Sequence, residues 1–292
     1  MKLSIVVIFY NMRREAQRTL YSLSKAYQRN VDGLDYEVIA IDNASEEPLD
    51  GDMVKAFGPN FQYHFYDTTS VSPVRAVNHG VALAQGEVVA VIVDGARMAS
   101  PGLIAQSMAA LPLAPETFAC GLAWHIGPDI QPRSIQHGYN QRVEDQLLDA
   151  ADWRRDGYRL FSISTIAPSS HKGFLGELPP EVSWFCISKL KFEELGGFNP
   201  AFQTPGGGLC NHEFRNRAAT DPEITCVVIL GEGVFHQAHG GAATGAMPKA
   251  RPDRMFGKEY SRIVGKAFRP DPPVKTLYAG AVSDMARPFL LL

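Results

Sequence analysis

Asp42 closes the apolar run YEVIAID, and Asp94 closes VVAVIVD. A single aspartate after a strand commonly caps a helix or forms an Asx turn. Two of them, each ending an apolar run, favour a shared polar site, because open α/β sheets bind ligands at the carboxyl ends of their strands. A carboxylate facing a phosphorylated ligand repels it unless a divalent cation stands between them. Mg2+ and Mn2+ take oxygen ligands and bridge carboxylate to phosphate. His236 and His239, three residues apart in VFHQAHGG, can complete the coordination of a cation already held by Asp94. The alternative for each is a loop histidine satisfied by its surroundings. The glycines after them suit a segment that closes over a ligand. Within residues 181–218, Trp184 and Phe185 lie on an apolar run that reads first as core. Gly206 to Gly208 reads as a tight turn into a helix over 211–219, since no GK[ST] follows it.

The elements that must position these residues alternate in the first half. Strand-like runs cover residues 3–10, 36–41, 61–66 and 88–93. Helical spacing covers 12–27, 73–84 and 101–111, with Met12, Ala16, Leu20, Leu23 and Tyr27 on one face. Such alternation predicts a mostly parallel sheet covered on both faces. The second half is less regular. Residues 116–124, 182–188 and 225–230 read as strands and 141–154 as a helix, separated by Gly/Pro-rich loops at 169–180, 204–208 and 240–248. No linker separates two independent domains, so one domain with a loop-rich second half is expected.

At 45% hydrophobic and 10% aromatic, the sequence carries enough apolar surface for a sizeable core. A net charge of -3 argues against a general nucleic-acid or membrane-surface binder. Cys120, Cys186, Cys210 and Cys226 are widely spaced without a CxxC pair, which fits reduced thiols and a cytoplasmic location. The N-terminal apolar run meets Asn11 and two arginines and reads as a first strand, not a signal peptide. No run approaches the length of a transmembrane segment. The basic stretch 249–269 is left to cover the site, to join a homo-oligomer or to pack on the sheet.

The segments SIVVIFYN, YEVIAIDNAS, NHGVALAQGEVVAVIVDGAR, FEELGGFNPAF and VFHQAH, in this order, resemble a family 2 glycosyltransferase with the GT-A fold. The match covers the chain to about residue 245. The resemblance implies a single α/β GT-A domain over 1–292, with a mostly parallel central sheet flanked by helices. Its Rossmann-like nucleotide-sugar half would be 1–112, its acceptor half 113–245, and a C-terminal extension 246–292. It implies inverting, metal-assisted transfer of a hexose from a nucleotide-diphosphate sugar, expected to be UDP-linked, to a saccharide or other acceptor hydroxyl. Mn2+ or Mg2+ is the implied cofactor.

Carried over by position, Asp42 would hydrogen-bond the base, Asn43 would face ribose or base, and Arg75 and Asn78 would line the nucleotide pocket. Asp94 matches the first aspartate of the DxD motif, with small residues after it leaving room for a metal-bound diphosphate. Two departures stand out. The motif reads Asp94-Gly95-Ala96, without its last carboxylate. The Glu-Asp pair that supplies the catalytic base falls on Cys210-Asn211, and an asparagine cannot take a proton at neutral pH. Glu213, His212 or Glu181 would then substitute, or the domain binds a nucleotide sugar or a partner without transferring. Trp184, or Trp124 or Trp153, would be available to stack on an acceptor sugar. A nucleotidyltransferase or a dehydrogenase fits less well, because no glycine-rich phosphate loop follows the first strand.

Overall fold

The computed structural model describes residues 1–174, 176–239 and 252–291. In its first half, β1 (Leu3–Phe9), α1 (Arg13–Ser22), β2 (Tyr36–Asp42), α2 (Gly51–Lys55), β3 (Phe61–Phe65), α3 (Val74–Leu83) and β4 (Val88–Ile92) follow in turn. The strands pair in parallel in the order β4-β1-β2-β3. β1, β2 and β4 are apolar without alternation and buried along their whole lengths, as strands covered by crossover helices on both faces must be. β2 lies on one side of β1 and β4 on the other. The crevice outside their carboxyl ends is therefore the switch point at which doubly wound sheets take ligands.

α1 stops short of the expected residue 27. Ser24 Oγ donates to Tyr21 O at 2.7 Å, and Gln28 Nε2 donates to Ser22 O at 2.6 Å. Local polar side chains thus take the last carbonyls and turn the chain. Leu23 and Tyr27 stay on the buried face in the turns that follow.

The second half contributes β5 (Arg97–Ala99), α4 (Leu103–Ala110), β6 (Glu116–Ile126), α5 (Gln131–Gln136), α6 (Gln141–Ala151), β7 (Ser164–Ile166), α7 (Pro168–Phe174), β8 (Phe185–Ser188), α8 (Lys189–Glu194), α9 (Cys210–Thr220), β9 (Ile224–His236), α10 (Pro252–Val264) and β10 (Thr276–Gly280). The sheet runs β10-β9-β6-β8-β4-β1-β2-β3. β8 is antiparallel to both neighbours, and β5 and β7 add antiparallel pairs to β9 and β6. The expected loop at 169–180 is partly α7, and that at 204–208 holds a short 3-10 turn. The expected loop at 240–248 lies outside the described residues.

β9 runs to His236, well past the expected end at residue 230, because a bulge carries it through a glycine-rich stretch. Its parallel register with β6 passes from Gly121↔Ile229 to Leu122↔Gly233, so residues 230–232 are extra. An odd insertion turns every later side chain to the opposite face. His236 thereby stands opposite His125, where Gly233 would otherwise be. Gly231 makes the bulge with φ +79°, and a Cβ there would overlap the carbonyl oxygen of Ala281. The adjoining Glu232 is buried and accepts from Ser100 Oγ (2.5 Å), Tyr158 OH (2.6 Å) and Gly102 N (3.0 Å), which pins the bulge to the start of α4.

The C-terminal residues join the same body. Glu259 of α10 accepts from the backbone of Gln203 and Thr204 at 2.8 and 3.0 Å, and β10 pairs in parallel with β9. Arg215, almost fully buried on α9, donates to the carbonyls of Leu178, Pro179 and Asp271. All four cysteines are buried and free. Among the described residues, no helix is long and apolar enough to cross a membrane.

Candidate active site

At the end of β2, Asp42 is fully buried and both carboxylate oxygens are committed: Oδ1 accepts from Ser45 N and Oδ2 from Leu49 N, each at 2.8 Å. These bonds shape the loop after β2, and each oxygen keeps a further acceptor site. Asn43 differs. It is buried, its amide nitrogen donates to Ser70 O at 3.2 Å, and its Oδ1 has no partner among the described residues. A buried acceptor with no protein donor is left for a water or a ligand to satisfy. Asn78 Nδ2 donates to Phe198 O (2.8 Å) and Oδ1 accepts from Phe198 N (2.9 Å), which clamps α3 onto the loop after α8. Arg75 is exposed on α3.

Asp94, just beyond β4, meets the end of β9. His236 Nε2 lies 2.7 Å and His239 Nε2 3.5 Å from Asp94 Oδ2, and the two imidazole nitrogens are 3.1 Å apart. These three side chains form a cluster of metal-ligating type among the described residues. Burial raises the pKa of Asp94, but the two histidines outweigh it and hold the carboxyl well below its usual range. Burial drives His236 down to about 4, against the pull of Asp94. His239 is also buried, yet Asp94 raises its pKa. Two ring nitrogens aimed at one carboxylate oxygen require a shared proton or a cation. One carboxylate oxygen and two imidazole nitrogens make an incomplete shell for a divalent cation, and the imidazoles suit Mn2+ better than Mg2+.

The surrounding chain holds this cluster rigidly. Gly95 N donates to Ile8 O at 2.8 Å, and a Cβ on Gly95 would fall 2.6 Å from that same oxygen. Glycine therefore follows Asp94 so that the loop can press onto β1, and Ala96 is fully buried beside it. The expected open space beside the aspartate is protein. Gln237 N donates to Ala96 O (2.8 Å), and its side chain to Thr19 Oγ1 (3.1 Å), which in turn donates to Gly95 O (2.6 Å). Ala238 N donates to the buried Glu144 Oε2 at 2.7 Å, and Arg14 contacts both Glu144 and Ala238 O. The segment between the two histidines is thus tied to β4's loop, to α1 and to α6.

Arg97 extends the site, its guanidinium 3.7 Å from Asp94 Oδ2 and 3.8 Å from Glu181 Oε1. Of the expected base candidates, Glu213 is nearly buried and forms a bidentate pair with Arg217, with contacts of 2.7 Å at both oxygens. Arg217 goes on to cap the carbonyls of Leu195 and Gly197. This is a structural pair. Asn211 Oδ1 and His212 Nδ1 are buried without partners among the described residues. Burial lowers the pKa of His212, with Glu181 opposing. Glu181 alone of the carboxylates considered keeps a side chain about a third exposed and linked through Arg97 to Asp94.

Trp184 is fully buried, its indole N–H donating to Ser107 Oγ at 2.9 Å. It has no face to offer an acceptor sugar, and that expectation is withdrawn. Trp124 and Trp153 are also buried. Sequence reading passed over Arg97 and His125. Both carry the signature that exposed Asp94, a polar residue at a strand end. Arg97 begins the short β5, and His125 nearly closes the apolar β6.

The parallel β4-β1-β2-β3 unit, the antiparallel β8 beside it and the acidic strand-end site define a GT-A glycosyltransferase fold. Solved structures of S. aureus TarS match it at 13% identity. For residues 1–349 with UDP, the match covers 91% of this chain and 72% of that chain at TM-score 0.55. With UDP-GlcNAc it covers 89% and 67% at 0.55. For the longer TarS chain it covers 82% of this chain but only 37% of that one, at TM-score 0.53. No curated protein sequence matches the chain. The family model for glycosyl transferase family 2 matches residues 4–151, and the chain belongs to that family.

Proposed function

We propose that this chain transfers a sugar from a UDP-linked donor to an acceptor hydroxyl with inversion, assisted by a divalent cation. The observation that carries the reading is the convergence of Asp94, His236 and His239 at the switch point of the sheet, on the same edge as Asn43 Oδ1, which has no partner among the described residues. TarS structures of the same fold were solved with UDP and UDP-GlcNAc, which supports the choice of nucleotide. Asn43 takes the base or ribose, beside Asp42 at the same strand end. Asp94, His236 and His239 hold the cation, the imidazoles standing in for the carboxylate that Ala96 lacks. Bound there, Mn2+ or Mg2+ supplies positive charge to the departing diphosphate.

Glu181 is the acceptor's base. It takes the hydroxyl proton as the acceptor oxygen bonds to the anomeric carbon, while the bond from that carbon to the diphosphate breaks and its electron pair leaves with UDP. Attack from the face opposite the leaving group inverts the centre. Arg97, between Asp94 and Glu181, places fixed positive charge beside the developing anion. The second reading, a domain that binds a nucleotide sugar without transfer, draws on Asn211 at the position of the family's base.

Calorimetric titration with UDP, with GDP and ADP as controls and with and without Mn2+, tests the proposal. Binding selective for UDP and tightened by Mn2+ is expected. Absence of nucleotide binding in every condition refutes it. Metal-tightened UDP binding without turnover of any UDP-sugar, hydrolysis included, favours the second reading.

A further inference from the structure

His125 has no part in the cluster described above, yet the sheet delivers it there. In register, Arg97 of β5, His236 of β9 and His125 of β6 stand side by side across three strands, and Thr165 of β7 follows on the far side. The rings of His125 and His236 have centroids 5.6 Å apart. The bulge at residues 230–232 creates this alignment, since without it a glycine would face His125.

The orientation of the ring is fixed as well. Its Nδ1 accepts the backbone N–H of Gln131 at 2.9 Å, and the fully buried Gln131 side chain donates to His236 O at 3.1 Å. A backbone amide only donates, so Nδ1 carries the lone pair and the neutral ring carries its proton on Nε2. That N–H has no acceptor among the described residues, and the side chain is partly exposed. A satisfied core histidine spends both nitrogens. Here one is used to aim the other. A protonated Nε2 cannot ligate a metal or take a proton, so the group is a fixed, uncharged donor.

We propose that His125 is a further catalytic residue, donating from Nε2 to a diphosphate oxygen of the nucleotide sugar bound beside His236. The inference rests on the nucleotide-sugar reading above. Its partner in the reaction is an oxygen that gains negative charge as the bond to the sugar breaks, and a donor held in place by the backbone needs no reorganisation to meet it. One such charge-assisted hydrogen bond corresponds to about tenfold in affinity and about 10²-fold in turnover.

The test compares His125→Gln, which keeps an N–H at similar reach, with His125→Met, which fills similar space without a donor. Mn2+ binding alone, followed by electron paramagnetic resonance, is expected to match wild type in both. UDP and UDP-GlcNAc, titrated with Mn2+ present, are expected to bind His125→Met about tenfold more weakly, with His125→Gln recovering most of the loss. Equal nucleotide affinity in Met, Gln and wild type overturns the inference. So does loss of Mn2+ affinity in His125→Met, which makes the ring a ligand or its support, and so does a loss confined to UDP-GlcNAc, which makes it a sugar contact. Failure of wild type to bind UDP at all removes the nucleotide-sugar reading itself, whereas the other outcomes leave that reading intact.

Discussion

The two halves of the chain place their functional residues by different means. In the first half, Asn43 and Asp94 follow the carboxyl ends of β2 and β4 within two residues, and parallel pairing to β1 sets both positions. In the second half, His236 closes a thirteen-residue strand whose register with β6 changes at a glycine bulge. His125 and Arg97 reach it only because β6 and β5 flank that strand. The first half is specified locally, one apolar run at a time. The second is specified by cross-strand register, so a small backbone change far from the chemistry would misplace several side chains together.

The sharpest way to break this comparison is to exchange the roles of two glutamates of the second half. Glu181→Gln is expected to lower turnover by about 10²–10³-fold while leaving Mn2+-dependent UDP binding in place. Glu213→Gln should instead lower stability, because it leaves Arg217 without its carboxylate. Steady-state kinetics beside chemical unfolding separates the two, and the reverse pattern would move the base to α9. Next in size, Gly231→Ala forces a side chain into a positive φ against Ala281 O and is expected to cost about 3 kcal/mol in denaturant unfolding. Mn2+ affinity should fall with it, and metal-free UDP binding should fall less, since it loses the alignment of His125 but keeps Asn43.

Titration gives a smaller effect. His239 has a raised pKa, and its proton competes with a cation, so Mn2+ affinity should fall about tenfold per pH unit below that pKa. His236 has its pKa lowered to about 4, so the unfolded chain binds its proton first as pH drops. The metal-free protein is therefore expected to lose the stability linked to His236 as pH falls from about 6.5 to about 4. Unfolding of wild type against His236→Gln across that window checks the sign. The smallest effect expected is that of Trp184→Phe, about 1 kcal/mol from the lost bond to Ser107, with kcat unchanged. A large loss of activity would return Trp184 to the acceptor site.

The comparison also explains what was legible in the sequence. Continuous apolar runs identified β1, β2 and β4 and the polar residues after them, because burial on both faces leaves no alternation to misread. Asp42 and Asn43 stand out by type at the end of an apolar run, but the bonds that tie Asp42 to Ser45 and Leu49 come from a loop with no readable period. The histidines after residue 234 were found by type, and Asp94 does meet them. His125 and Arg97 were missed because no single segment contains the register that assembles them. β5 and β7 are only three residues long, and β10 joins the sheet from beyond β9, so none of them offers a readable period. Trp184 misled because an aromatic residue near a polar cluster looks the same in sequence whether it lines a cleft or fills a core.

The central claim is that the far end of β9 completes a cation site with Asp94. It is tested most directly by electron paramagnetic resonance of Mn2+ with and without UDP, on wild type, Asp94→Ala and His236→Ala. The account predicts that UDP tightens Mn2+ binding in wild type and that either substitution abolishes this coupling. Mn2+–UDP coupling in His236→Ala equal to that of wild type would contradict it, and would leave the imidazole only a hydrogen-bond partner of Asp94.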